Sequence, residues 1–296
     1  MVNISFFSYK GGAGRTSLLF NTLPFLAEKL KATEKEPIIV IDLDLDSKGL
    51  SYLVEKDSGI NAIQVLRGDD AIGFKQQGNI LEHPFFSKLV PIGARVGLNP
   101  SLDRSILFIS AHPKDGARFL TENGNNYDGS NISLKTLNRL CGNFNCKAIV
   151  MDCPAGNQLA AEMSLSIAHK IVLTMRITRQ FRKGSEEFLR DKSSEFAGKE
   201  YIIVPNAVPK TDGTIFNLQS IMENIALLAK NAVGNSGRLN LSLLENGKTG
   251  INEVNLFKFK EESLKKESNE RTLTEDETAA VQMYNLLAEE LSNEKR

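Results

Sequence analysis

Ser8-Tyr9-Lys10-Gly11-Gly12-Ala13-Gly14-Arg15-Thr16-Ser17 is the stretch from which the rest of this sequence can be read. An apolar run, Ile4 to Phe7, precedes it and predicts a strand, and a run from Leu18 to Leu30 with leucines at helical spacing follows it. A strand, a glycine-rich turn and a helix N-terminus make a cradle for an anion. Glycines at 11, 12 and 14 allow positive φ, so successive backbone N–H groups can turn inward while the helix adds its dipole to the same hole. The β- or γ-phosphate of a nucleotide is the expected occupant.

The common phosphate-loop pattern, G-x-x-x-x-G-K-[ST], is not met, because position 9 is not glycine and Arg15 stands where the lysine would be. The stretch fits the deviant form K-G-G-x-G-[KR]-[ST]-[ST]. In this it resembles the ParA/MinD-type deviant Walker A ATPases of the SIMIBI class of P-loop NTPases, in the branch carrying K-G-G-x-G-R. The resemblance implies an α/β fold: a doubly wound, mostly parallel sheet with helices on both faces. It also implies ATP and Mg2+ as cofactors, with Gly11, Gly12, Ala13, Gly14, Arg15, Thr16 and Ser17 around the nucleotide and the Thr16 hydroxyl on the metal. In that family the early lysine, here Lys10, reaches across a dimer to the partner's nucleotide, and it is expected to take part in catalysis.

Two further strand ends carry acids. Ile38 to Ile41 runs into Asp42-Leu43-Asp44-Leu45-Asp46-Ser47-Lys48-Gly49, as expected of a buried parallel strand whose C-terminal end reaches a ligand edge. This D-x-D resembles the family's second motif. By that resemblance Asp44 is the catalytic acid that positions the attacking water near the metal, and Asp42 supports the metal's water shell. Leu45 departs from the proline many relatives carry there. Lys147 to Gly156, an apolar strand ending in Asp152-Cys153-Pro154-Ala155-Gly156, resembles the Walker B and switch II segment and places Asp152 on the magnesium side. Asn206, at the end of a strand over Tyr201 to Pro205, is by resemblance a reader of the base edge. The guanine-reading N-K-x-D pattern is absent, so ATP is expected over GTP.

Length and charge narrow the classes. A chain of 296 residues that is 41% hydrophobic can bury one large α/β core. We read residues 1–296 as a single ATPase domain with an insertion-like region around 68–130. Lys plus Arg and Asp plus Glu number 36 each, so no global field draws the chain to nucleic acid or anionic lipid, and any such contact must be local. The sequence enters a strand by about residue 3 without a charged n-region and apolar h-region, no window approaches 18 uninterrupted apolar residues, and a cytoplasmic, soluble protein is expected. Cys141, Cys146 and Cys153 are expected as reduced thiols.

Elsewhere, Pro24 predicts a kink or an early break in the first helix, Ile106 to Ser110 a strand, Ser133 to Leu140 a helix, and Ile171 to Thr174 a strand. His112 reads as a turn residue. Helices are expected over Ile215 to Val233 and Thr274 to Leu291, with a short strand near Ile251 to Phe259. The last helix ends in acids without a cluster of lysines and large aromatics, so it is expected to close the core and not to anchor the chain to a membrane. Arg176, Arg179, Arg182 and Lys183 gather near a helix N-terminus, an unfavourable place for cations, and either DNA phosphate or an acidic protein partner would compensate them.

The expected function is a slow ATPase acting as an ATP-dependent homodimeric switch for positioning, partitioning or signalling, with a protein partner. Two alternatives stay open at this point. One is a nucleotide-binding scaffold with little turnover. The other is a metabolic ligase or synthetase on the same fold, against which Lys10 counts.

Overall fold

The computed structural model describes residues 1–67, 79–111, 131–156, 158–176, 178–192, 198–208, 227, 230–231, 238–240, 251–252 and 275–293. Its strands are β1 (Val2–Phe7), β2 (Ile38–Asp42), β3 (Val90–Pro91), β4 (Ile106–Ile109), β5 (Ala148–Asp152), β6 (Lys170–Met175), β7 (Glu200–Val208), β8 (Arg238–Asn240) and β9 (Ile251–Asn252). They form a sheet in the order β3-β4-β2-β5-β1-β6-β7-β8, with β9 paired to the far end of β7. Every pairing is parallel except β3 with β4.

Parallel strands buried on both faces read as continuous apolar runs, and the two faces separate by alternation along each strand. Phe7, Ile39, Ile41, Ile149, Met151, Ile171, Leu173 and Ile203 point into one core layer. Three helices contribute to that layer: α3 (Ala62–Arg67), α4 (Asn131–Asn143) and α5 (Leu159–Ile167), with α6 (Arg179–Lys192) adding Phe188 and Leu189. Ile4, Phe6, Ile38, Val40, Val150, Val172 and Ile202 point into the other. That layer is covered by α1 (Arg15–Lys29), α2 (Gly49–Val54) and the last helix, α7 (Glu275–Ser292). This is the doubly wound, mostly parallel α/β sheet with helices on both faces that was expected.

Helix α1 does not break at Pro24. It continues to Lys29 with Pro24 buried, and Thr22 Oγ1 donates to Leu18 O at 2.7 Å within it. Burial of Leu18, Leu19, Leu23 and Leu26 beside Ala280, Tyr284, Leu287 and Leu291 outweighs the single backbone hydrogen bond a proline forfeits. The α7 helix therefore closes a core layer, as its apolar spacing suggested. Among the described residues no helix is long and apolar enough to cross a membrane. Cys141, Cys146 and Cys153 are free and buried. His112, most of the helix expected over Ile215 to Val233 and most of the 68–130 region lie outside the described residues.

The topology fixes where the functional motifs meet. Strand β1 sits between β5 and β6; β6, β7 and β8 follow outward on one side, whereas on the other the chain runs to β2 and the edge and returns to insert β5 between β2 and β1. Pairing sets Phe6 beside Asp152 and Asp42 beside Asp152, so the three motif-bearing strands end at the same level. Ligands bind at that carboxyl edge in sheets of this kind.

Candidate functional site

The loop after β1 has the geometry of an anion cradle. Gly12 and Gly14 adopt φ of 77° and 75°, left-handed values that favour glycine. A Cβ placed on Gly11 or Gly12 would meet nothing within 4 Å, so this stretch of backbone faces open space. Gly14 is tighter, because a Cβ there would lie 2.4 Å from Asn206 Nδ2. Leu18 N donates to Gly14 O at 2.9 Å, closing the first turn of α1. The cradle thus fits a phosphate chain at the helix N-terminus.

Beneath the cradle, Arg15 turns away from the open side and into the protein. Its side chain is 6% exposed. Nε donates to Asp152 Oδ1 at 2.7 Å, Nη2 to Asp44 Oδ2 at 2.6 Å, and Nη1 to Ser8 Oγ at 3.2 Å. Thr16 Oγ1 donates to the other Asp152 oxygen, Oδ2, at 2.8 Å. All three motifs therefore join through one buried cation, whose planar guanidinium offers several fixed donors on different nitrogens. Burial disfavours the charge on Arg15, but Asp152 and then Asp44 outweigh it and hold the guanidinium protonated.

Asp42 lies deeper and does different work. Its Oδ2 accepts from Ser51 N at 2.8 Å and Ser51 Oγ at 2.7 Å, and its Oδ1 accepts from Asp44 N at 3.1 Å. It therefore fixes the backbone that carries Asp44 and the start of α2. Burial, and then the neighbouring Asp152 charge, pushes its carboxyl up to about 7. Asp44 Oδ1 also accepts from Ser47 N at 3.2 Å, while Asp46 is exposed. Lys10 is exposed at the mouth of the loop, and Ser17 is half-buried beside Thr16.

Further elements brace the loop. Asn206 is buried, and its Nδ2 donates to Ala13 O at 2.9 Å and Gly14 O at 3.1 Å, so its amide supports the cradle from β7. Gly156 N donates to Ser8 O at 3.1 Å, tying the segment after β5 to the loop. Arg176 Nε donates to Gly12 O at 2.7 Å. The Tyr9 ring packs on Gly184 of α6, where a Cβ would lie 2.2 Å from Tyr9 Cδ1. Of the basic group, Arg176 thus contacts the loop, while Arg179 and Lys183 are exposed on the first turn of α6 and Arg182 is half-buried.

Sequence reasoning did not single out Ser8, Tyr9, Ser51 or Gly184 as site residues. Ser51 offered a weak signal, a hydroxyl in the helix that follows an acidic strand end. Tyr9 and Gly184 meet across a long stretch of chain and carry no local signature, and Ser8 lies within the quoted motif but at a position the motif does not specify.

The donor set of Thr16, Asp44 and Asp152 suits a hard divalent cation, being one hydroxyl and two carboxylates. In this conformation the guanidinium occupies the carboxylate oxygens that such an ion would use. Among the described residues no group of three or more His, Cys, Asp or Glu could hold a metal alone. A cavity opens at the opposite edge of the sheet, lined by Val2, Leu30, Lys147, Lys170 and Leu291. Lys147 and Lys170 are paired there with Glu36 and Glu200, at the strand ends where such sheets do not place their ligands.

No protein-family model matches the sequence, and neither does any curated protein. The fold does match solved structures. The cell-division ATPase MinD of Pyrococcus furiosus is similar with a TM-score of 0.61 at 16% identity, over 97% of this chain and 98% of that one. A plasmid partition protein of Borrelia burgdorferi, solved with AMPPNP, gives 0.58 at 12% identity, over 97% and 98%. Cobyrinic acid a,c-diamide synthase of Mycobacterium smegmatis, solved with ADP and magnesium, gives 0.58 at 16% identity, over 98% and 93%. Identities this low establish the fold and leave the activity to the site.

Proposed function

We propose that this chain binds ATP with magnesium at the loop from Gly11 to Ser17, hydrolyses it slowly, and uses the bound state as a switch. The observation that carries the reading is the convergence of three motifs at one sheet edge. An open glycine cradle lies directly over a buried cluster in which Arg15 and Thr16 contact Asp152, and Arg15 contacts Asp44. Solved proteins of the same fold include a cell-division ATPase, a partition protein bound to AMPPNP, and a synthetase bound to ADP and magnesium. They support a nucleotide without choosing among these uses.

Within this reading the backbone N–H groups of Gly11, Gly12, Ala13 and Gly14 bind the phosphates, and Asn206 holds the loop in shape from behind. Thr16, Asp152 and Asp44 are the residues that would hold magnesium. When bound, the ion supplies charge neutralisation and polarisation of the phosphoryl oxygens. Asp44 is less deeply buried than Asp42 and Asp152, and we assign it the positioning of the attacking water; Asp42 keeps Asp44 in place. Lys10 is exposed and free to reach a facing subunit, where a cation from each side would offset the negative charge of two apposed nucleotides. Lys10 also favours the switch over a ligase or synthetase, whose relatives lack the early lysine.

Arg179 and Lys183 are exposed on α6, whose start is tied to the loop through Arg176 and Tyr9. This is where we place an anionic partner, a protein face or DNA, able to sense the loop. Light scattering with a non-hydrolysable ATP analogue tests the switch on an Asp44→Ala background. A dimer that forms with the analogue and is lost in Lys10→Ala supports it, whereas a monomer throughout leaves the scaffold reading.

A further inference from the structure

The position of Arg15 bears on how metal enters the site. Two carboxylates converge on one cation that belongs to the chain, and the Thr16 hydroxyl donates to one of those carboxylates. The contacts are short, at 2.6 and 2.7 Å, and the Asp152 side chain is fully buried. Asp152 has both oxygens engaged, one by Arg15 and one by Thr16, and Asp44 has one on Arg15 and one on Ser47 N. A small divalent ion that keeps near-octahedral geometry needs carboxylate oxygens free on one side. Here the guanidinium covers that side.

We propose that Arg15 is a tethered counter-cation that excludes divalent metal from Thr16, Asp44 and Asp152 in the nucleotide-free chain, so that metal enters only when Arg15 leaves the carboxylates. The second half of this rests on the nucleotide-binding reading: phosphates in the cradle above Arg15 offer the guanidinium an alternative anion and supply the oxygens the metal lacks. The protein donors fit this division. Two carboxylates and a hydroxyl make a poor cage for magnesium by themselves, and this ion is commonly held by one or two carboxylates together with substrate phosphates. Arginine suits the part better than lysine, since one planar group bridges both acids at once.

The consequence is mutual exclusion of Arg15 and metal. Manganese, used as a paramagnetic stand-in for magnesium, reports it directly by electron paramagnetic resonance on the full chain without nucleotide. Wild type is expected to bind no stoichiometric manganese. Arg15→Gln is expected to gain one site, with affinity higher by about tenfold or more once a competing unit charge is removed. The double variant Arg15→Gln, Asp152→Asn should lose that site. Arg15→Lys, which keeps a buried cation but presents one nitrogen to the acids in place of two, covers the case in which Arg15→Gln fails to fold, and it too should bind manganese more tightly than wild type.

Equal manganese binding by wild type and the Arg15 variants would overturn the proposal, as would its absence from every folded variant. Adding a non-hydrolysable ATP analogue to wild type should create one manganese site. Titration with a fluorescent nucleotide in the same samples separates the two claims. If no nucleotide binds while the Arg15 variants still gain manganese, the nucleotide reading fails and the exclusion of metal by Arg15 stands.

Discussion

Arg15 Nε and Asp152 Oδ1 lie 2.7 Å apart in the interior, so a residue of the first motif and one 137 positions later share a buried, charge-assisted hydrogen bond. The arginine at the usual lysine position is thereby a structural tie between the phosphate loop and β5. A guanidinium also holds Asp44 through a different nitrogen, so the geometry of the two acids depends on one side chain.

Replacing Arg15 should therefore damage the fold as well as the site. Arg15→Ala leaves two acids without their cation, and breaking a buried ion pair from one side costs about 3 to 5 kcal/mol. Arg15→Lys should cost less, because an ammonium still neutralises one acid. Urea denaturation of the three proteins measures this, and equal midpoints would mean that the cluster contributes no net stability.

Thr16 is expected to matter for the metal more than for the phosphates. Thr16→Ala should weaken magnesium-dependent ATP binding by about 1.5 to 3 kcal/mol, the range for a hydrogen bond to a charged group. Calorimetry with and without magnesium distinguishes this from a general loss of binding. An unchanged affinity for magnesium-ATP would remove Thr16 from the site.

Asp44 and Asp42 should separate in turnover. Asp44→Ala is expected to retain ATP binding and lose about a hundredfold or more in rate, as for a removed positioning or base group. Asp42→Ala should instead lower stability, because Ser51 and the Asp44 backbone lose their acceptor. If Asp42→Ala or Asp46→Ala removes turnover while Asp44→Ala stays active, the assignment within the second motif is wrong.

His169 predicts a pH dependence away from the site. Its Nδ1 accepts from Asn3 N at 3.0 Å, and burial, then the Lys199 charge, lowers its pKa from the ordinary 6.5. The unfolded chain then binds the proton more readily than the folded one. The contribution is complete above the ordinary value and is lost as pH falls through the lowered one. Thermal melting between about pH 7.5 and 5 should show a steeper loss for wild type than for His169→Gln. Parallel curves would contradict it.

The fold was legible because its signals are local. Ile38 to Ile41 and Ala148 to Met151 are apolar runs that enter acids, which only a parallel strand buried on both faces and ending at a solvent edge explains well. The helix passes through Pro24 without ending there because the cost of the proline is local, whereas the burial that offsets it comes from α7, more than 250 residues later. Arg15 was legible as a site residue. Its direction was not, since that depends on Asp44 and Asp152 meeting across adjacent strand ends. For the same reason the hydrogen bonds from the Asn206 amide to Ala13 and Gly14 and the clasp of Tyr9 on Gly184 left no trace in the segments that make them.

Whether the loop from Gly11 to Ser17 holds the phosphates of ATP is tested most directly by calorimetric titration of wild type and Gly14→Ala with magnesium-ATP. Gly14 has a φ of 75° and no room for a Cβ beside Asn206, so its replacement deforms the cradle and leaves both core layers untouched. Saturable binding of one ATP per chain by wild type, lost in a Gly14→Ala protein with an unchanged circular dichroism spectrum, is the predicted result. No binding by wild type, or equal binding by both proteins, would contradict it.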